Sequence, residues 1–237
     1  MIYRRFDKTG YEIKGYEYLS MRFMRSLSIP IARKLSKYSY PPERIVAISI
    51  FLEIVATFLV TFGQRYPTLL AGVILFIAWL LDYVDGDLAR MQNRITYFGD
   101  WFDSIAGKLI DVILYPCICF GIYRHTQSIY IWFLGFAIIG GIYFSSMMNN
   151  KIKLMKLRKG LPNKAKDKPA EKRRGLLKAI LHETTAGSDL VFYSVIFGAL
   201  INRMFWALWI CAIYIWLYSV FTIYVTYKSV IELDKIK

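Results

Sequence analysis

Asp82-Tyr83-Val84-Asp85-Gly86-Asp87-Leu88-Ala89-Arg90, then after eight residues Gly99-Asp100-Trp101-Phe102-Asp103-Ser104-Ile105-Ala106-Gly107-Lys108-Leu109-Ile110-Asp111, lie between two long apolar segments at 68–81 and 109–123. Carboxylates are rare at such depth, because burying charge in or near hydrocarbon is costly. Six aspartates within 82–111 need a compensating partner, and the usual one is a bound cation.

The spacing sharpens this. On a helix over 68–90, Asp82, Asp85 and Ala89 form one stripe with Gly86 beside it. On a helix over 96–123, Gly99, Asp103 and Gly107 form a second stripe, with Asp100 one turn behind Asp103. The short linker at 91–95 predicts that the two helices are antiparallel and adjacent, so Asp82, Asp85 and Asp103 converge between them. Hard oxygen ligands of this kind suit Mg²⁺ or Mn²⁺, which also grip phosphate oxygens. The alternative, helix caps and rim charges beside Arg90, Arg94 and Lys108, leaves three facing carboxylates to repel one another.

The same residues resemble the signature of the CDP-alcohol phosphotransferases: Asp, two residues, Asp-Gly, two residues, Ala-Arg, eight residues, Gly, three residues, Asp, three residues, Asp. Asp82, Asp85, Gly86, Ala89, Arg90, Gly99 and Asp103 fall in register, and a glycine, Gly107, stands where the pattern ends in aspartate. The resemblance implies that Asp82, Asp85 and Asp103 hold divalent metals and that Asp82, Asp85, Gly86, Ala89, Arg90 and Gly99 line the CDP site. It also implies that the last carboxylate is the proposed base for the acceptor hydroxyl, so the departure at Gly107 touches the chemistry directly.

Around this stretch the chain of 237 residues is 56% apolar and 17% aromatic, too apolar for an ordinary soluble domain and long enough for several membrane spans. Its net charge of +14 raises nucleic acid as a partner, but the distribution of the charge argues against that. Cys117, Cys119 and Cys211 all lie in apolar runs without metal or disulfide spacing and read as packing residues. The polar, basic N-terminus has no small-residue cleavage site, so no cleavable signal peptide is expected.

The fold class expected is all-α: a polytopic membrane protein with six transmembrane helices preceded by an amphipathic juxtamembrane helix. Residues 1–40 form the basic juxtamembrane segment, in which Leu19, Phe23 and Leu27 make an apolar stripe and Arg22 and Arg25 lie elsewhere on the wheel. Pro41-Pro42 starts the membrane domain at 41–237. Spans are expected at about 44–63, 68–90, 96–123, 128–149, 188–202 and 204–227, with the fifth short. On the fourth, Gly135, Ala137, Gly140, Gly141, Ser145 and Ser146 allow close helix approach, within the chain or in a homodimer.

The hydrophilic loop at 150–187 carries twelve Lys and Arg, from Lys151 to Lys178, whereas the opposite turns hold only Arg65, Arg124 and Arg203. The positive-inside rule therefore places both termini, this loop and the carboxylate cluster on the cytoplasmic side, with a prokaryotic cell membrane as the expected setting. A cytosolic nucleotide and a membrane lipid both reach the cluster there.

Gly86 and Ala89 leave room for a nucleotide or for helix packing, and Arg90 has a phosphate or Asp87 as partner. Asp87 points about 160–200° from Asp85 and is left out of the metal site. Asp111 lies about 6 Å beyond position 107 along the axis, too far to substitute without bending the helix. Asp100, a metal-bound hydroxide, or a residue of 182–189 such as His182 then takes the acceptor proton; Ser188 also reads simply as a helix N-cap. Asp103 and Asp100 are the catalytic candidates. The function expected is transfer of a substituted phosphate from a CDP-linked donor, CDP-diacylglycerol, to an alcohol acceptor, with release of CMP in phospholipid biosynthesis. A CDP-amino alcohol is the other donor weighed. The contrasting expectation, resting on Gly107, is a catalytically impaired relative that binds CDP-lipid or metal as a partner or regulator.

Overall fold

A computed structural model of the protein describes residues 5–6, 12–13, 19–94, 96–160 and 188–235. Two short strands, β1 (Arg5–Phe6) and β2 (Glu12–Ile13), pair antiparallel, with Arg5 opposite Ile13. The other elements among the described residues are helices: α1 (Leu19–Lys37), α2 (Pro42–Val60), α3 (Arg65–Met91), α4 (Tyr97–Thr126), α5 (Tyr130–Arg158), α6 (Ser188–Leu200) and α7 (Met204–Asp234).

Local chemistry sets these limits. Pro42 opens α2 behind an extended Pro41, because proline's fixed φ suits the first helical turn and its missing N–H is not needed there. Thr96 caps α4, its hydroxyl accepting from the Gly99 backbone N–H at 3.0 Å. Gly63 turns the chain between α2 and α3 at φ +65°, the left-handed region where a side chain is disfavoured. The helices α5 and α7 continue past the expected ends at 149 and 227. Strong helix formers such as Lys151, Lys153, Lys156 and Arg158 extend α5 beyond its apolar part, so part of the basic loop is helical.

Among the described residues, four helices are long and apolar enough to cross a membrane: α3, α4, α5 and α7. The other two expected spans differ in kind. The helix α6 has 13 residues, about 20 Å against roughly 30 Å of hydrocarbon. The helix α2 has 19 residues but carries Glu43, Arg44 and Glu53.

Among the described residues, the six helices after α1 close into a ring. Going round it, α2 packs on α3, α3 on α6, α6 on α7, α7 on α5, α5 on α4, and α4 on α2. The core inside is apolar, with Leu75, Leu114, Ile118, Ile138, Val195, Leu208 and Ile215 all buried. Trp79 of α3 stacks edge-on against Tyr193 of α6, ring centres 4.3 Å apart. The helices α2 and α4 meet without side chains between them: a Cβ on Gly121 would lie 2.2 Å from the Val60 carbonyl oxygen. Gly135 and Gly141 likewise seat Cys119 of α4 and Ile215 of α7, so these small residues serve packing within the chain, whereas Gly140 faces open space. Cys119 and Cys211 are buried packing residues, as their apolar settings predict.

This ring corrects one expectation. Among the described residues α3 and α4 do not pack along their lengths; α2 sits against both. A short turn dictates that consecutive helices run antiparallel, but which faces meet is decided by packing, and the tight α2–α4 approach wins here.

The helix α1 forms within the expected segment and docks on α3. Its inner stripe is Met24, Ser28 and Ala32, all fully buried, and Ala32 joins Ile45, Val84 and Leu88 in a second small core. Phe23, Leu27 and Ile31 form the neighbouring stripe and are exposed, consistent with the apolar face read at Phe23 and Leu27.

Candidate active site

The helix ends at 42, 91, 97, 158, 188 and 234 share one end of the bundle, and the aspartate motif occupies the α2–α3–α4 corner near it. Asp85 is buried, at 8% exposure, within electrostatic reach of Asp82 on its own helix and of Asp103 on α4. Asp82 and Asp103 are exposed in the corner. The helices therefore bring the three sequence-predicted metal ligands into one corner of the bundle. Among the described residues, no three His, Cys, Asp or Glu side chains are gathered closely enough to hold a metal ion as they stand.

The chemistry of the donor set nevertheless fits a divalent cation. The Oδ2 atom of Asp85 is buried and has no hydrogen-bond partner. A buried carboxylate oxygen without a donor is costly, and a bound cation would satisfy it. Hard, anionic oxygen ligands on rigid helices match Mg²⁺ or Mn²⁺.

The residues around the motif hold it in place. Asp87, fully buried, accepts from the Ser28 hydroxyl of α1 at 2.6 Å and from Arg90 Nη2 at 2.7 Å. Asp87 thus forms a structural ion pair with Arg90 and fastens α1 to α3. Of the two partners weighed for Arg90, the structure pairs it with Asp87. A Cβ on Gly86 would come within 3.1 Å of Arg90 Nη2, so the room left by this glycine is used by the guanidinium. Ala89 is half-buried, and Gly99 lies in the first turn of α4 under the Thr96 cap. Gln92 donates to the Tyr40 carbonyl at 2.9 Å and ties the α3–α4 turn to the entry of α2.

On the far wall, Lys108 donates to the Ser146 hydroxyl of α5 at 3.0 Å, and the Tyr143 hydroxyl donates to the Lys108 carbonyl at 2.8 Å. These bonds fix the rotation of α4 about the level of Gly107. A Cβ at Gly107 would meet nothing within 4 Å. The side chains of Asp100 and Ser188, and residues 182–187 including His182, lie outside the described residues.

A carboxylate that the motif does not include also faces this corner. Glu53 of α2 is half-buried and within electrostatic reach of Asp82, Asp111 and Asp103. The sequence carried a signal for it: Glu53 is the only acid between Glu43 and Asp82, alone in an apolar run. A separate cavity of about 210 Å³ lies at the opposite end of the bundle, lined by Val60, Gly63, Thr68, Ile118, His125 and Met204 among others.

A multi-helix membrane protein with an aspartate cluster fit for a divalent cation near one helix end is what the fold and site define. The sequence model of the CDP-alcohol phosphatidyltransferase family matches residues 40–168, more than half of the chain and all of the motif, and this protein belongs to that family. Two curated relatives agree. A bifunctional IPC transferase and DIPP synthase of Aquifex aeolicus is 29% identical over 90 residues, 37% of this chain and 20% of that protein. An archaetidylinositol phosphate synthase of Pyrococcus horikoshii is 27% identical over 117 residues, 49% of this chain and 57% of that protein. The matches thus cover only part of each relative's length.

Proposed function

We propose that this protein is an integral membrane transferase that moves a substituted phosphate from CDP-diacylglycerol to an alcohol acceptor and releases CMP, in phospholipid biosynthesis. The observation that carries this is the aspartate motif, in family register from Asp82 to Asp103, with the buried Asp85 Oδ2 lacking a donor.

In the reaction, the acceptor oxygen bonds to the phosphorus that bears the lipid. The bond from that phosphorus to the bridging oxygen breaks, CMP departs with the electron pair, and the acceptor proton passes to a base. Asp82, Asp85 and Asp103 would hold Mg²⁺ or Mn²⁺, which when bound would neutralise the pyrophosphate and the charge developing on CMP. Asp103 and Asp100 are the residues we assign to the acceptor side, and Ala89 and Gly99 are assigned to the nucleotide's side. Arg90, held by Asp87, presents positive charge at the edge of that space. The Pyrococcus relative is named for an inositol phosphate product. Together with the basic run at Lys151–Lys178, it favours a phosphorylated alcohol as acceptor.

The topology we assign has six spans, with α2 and α6 completing the four long ones, and both termini cytoplasmic. The contrast between the basic loop and the sparse opposite turns supports it. Exposed Tyr97, Phe98 and Trp101 at the start of α4 suit a membrane interface near the site. The outward stripe Phe133, Phe136 and Gly140 on α5 is the surface we assign to a homodimer.

The test is CMP release by the purified protein from labelled CDP-diacylglycerol across a panel of acceptors, free and phosphorylated alcohols included. Metal-dependent release with one acceptor class supports the proposal. No release with any acceptor, from protein that still binds Mn²⁺, would favour the non-catalytic relative.

A further inference from the structure

The family pattern ends in a carboxylate that this chain lacks, and the space beside Gly107 is open. Three features of Glu53 bear on that gap. First, it shares the inward stripe of α2: Ser49, Ala56 and Val60 are buried, whereas Phe51, Ile54 and Phe58 are exposed. Second, α2 is the helix packed against both motif helices. Third, its depth matches. Glu53 lies eleven residues into α2 and Gly107 ten residues into α4 from the same end, about 17 and 15 Å at the rise of an α-helix. Asp103 and Asp111 flank position 107 by one turn on either side, and Glu53 is within electrostatic reach of both, and of Asp82.

An acid in the middle of an apolar helix is costly to keep charged beside Asp82, Asp103 and Asp111, of which Asp111 has Lys108 within electrostatic reach, and a bound cation would offset that cost. Asp85, more than nine-tenths buried, has an unpartnered oxygen and lies within electrostatic reach of Asp82 and Asp103, with Arg90 also in reach. Resting on the function proposed above, we infer that Glu53 is the fourth carboxylate of the divalent-cation site, reaching from α2 across the space that Gly107 leaves open. The family's carboxylate has in effect moved from one helix to the facing one, with the charge kept at the same depth.

The experiment is Mn²⁺ binding to the purified full-length protein in detergent, read by the spin-resonance signal of free Mn²⁺, for wild type, Glu53→Gln, Glu53→Gln with Gly107→Asp, and Asp82→Asn. The expected result is a roughly tenfold or greater loss of affinity in Glu53→Gln, on the scale of removing a group that supports a metal. Most of that loss returns when Gly107→Asp is added. Wild-type affinity in Glu53→Gln beside a weakened Asp82→Asn overturns the inference alone. So does a loss that Gly107→Asp fails to recover, because Glu53 would then act only in packing. Unchanged affinity in both single variants overturns the site itself. Should Glu53→Gln not fold, Glu53→Asp replaces it: the charge stays, the reach shortens, and weaker Mn²⁺ binding recovered by Gly107→Asp is again expected.

Discussion

Gly107→Asp puts the family's missing carboxylate back, and the structure fixes what it should cost. A Cβ there meets nothing within 4 Å, so sterics contribute no penalty. Replacing a helical glycine gains about 0.3 kcal/mol in propensity. The new charge lies one turn from Asp103 and one turn from Asp111, and each like-charge pair costs about 0.2–0.5 kcal/mol. These terms along α4 sum to less than about 1 kcal/mol, about 2–4 °C in unfolding temperature, and the like charge of Glu53 across the gap adds to that loss in the metal-free protein. Added Mn²⁺ should reverse the sign, because a ligand bound only by the folded state stabilises it in proportion to affinity. Absence of a general base costs about 10²–10⁴ in rate. With Glu53 already supplying charge from the facing helix, the gain in CMP release should be smaller, several-fold. The assays are thermal unfolding with and without Mn²⁺ and release of labelled CMP. A variant that unfolds normally yet releases CMP more slowly would refute the reasoning: the space at Gly107 would then belong to the acceptor.

Three further outcomes are expected. Asp87→Ala removes a fully buried carboxylate that holds Ser28 and a partly exposed Arg90, and should destabilise the α1–α3 contact by about 2–3 kcal/mol, below the cost for a fully buried pair. Maleimide labelling of Ala32→Cys, buried in wild type, should then accelerate. Single cysteines at the two termini and at Lys166 should label only from the cytoplasmic side and one at Arg124 only from the other; cytoplasmic labelling at residue 124 would contradict the six-span topology. Glu53→Gln should weaken Mn²⁺ binding and Gly107→Asp should restore it.

The helices were legible because apolar runs broken by Pro41-Pro42, Gly63 and Asn202-Arg203 leave few alternatives in a chain this hydrophobic. The metal candidates were legible because three aspartates on two helical stripes carry their own spacing. Their neighbours were not. Which helix packs on which depends on where backbones approach, as at Gly121 and Val60, and no local pattern announces that α2 lies between α3 and α4. Glu53 escaped for the same reason: it lies 29 residues before Asp82, and only the packing of α2 brings it to the site. The buried stripe of α1 was obscured as well, since Ser28 reads as a surface residue in sequence and is buried only because its hydroxyl donates a hydrogen bond to Asp87.

The central claim is that Asp82, Asp85 and Asp103 act together on a cation to transfer phosphate from a CDP-linked lipid. Asp103→Asn tests it most directly, because that side chain is exposed in the corner and its loss spares the core. Labelled CMP release from CDP-diacylglycerol, titrated with Mg²⁺ or Mn²⁺, should fall by orders of magnitude in this variant, with weaker Mn²⁺ binding and an unchanged metal-free unfolding temperature. Turnover and metal-dependent stabilisation equal to those of the wild type would contradict the account.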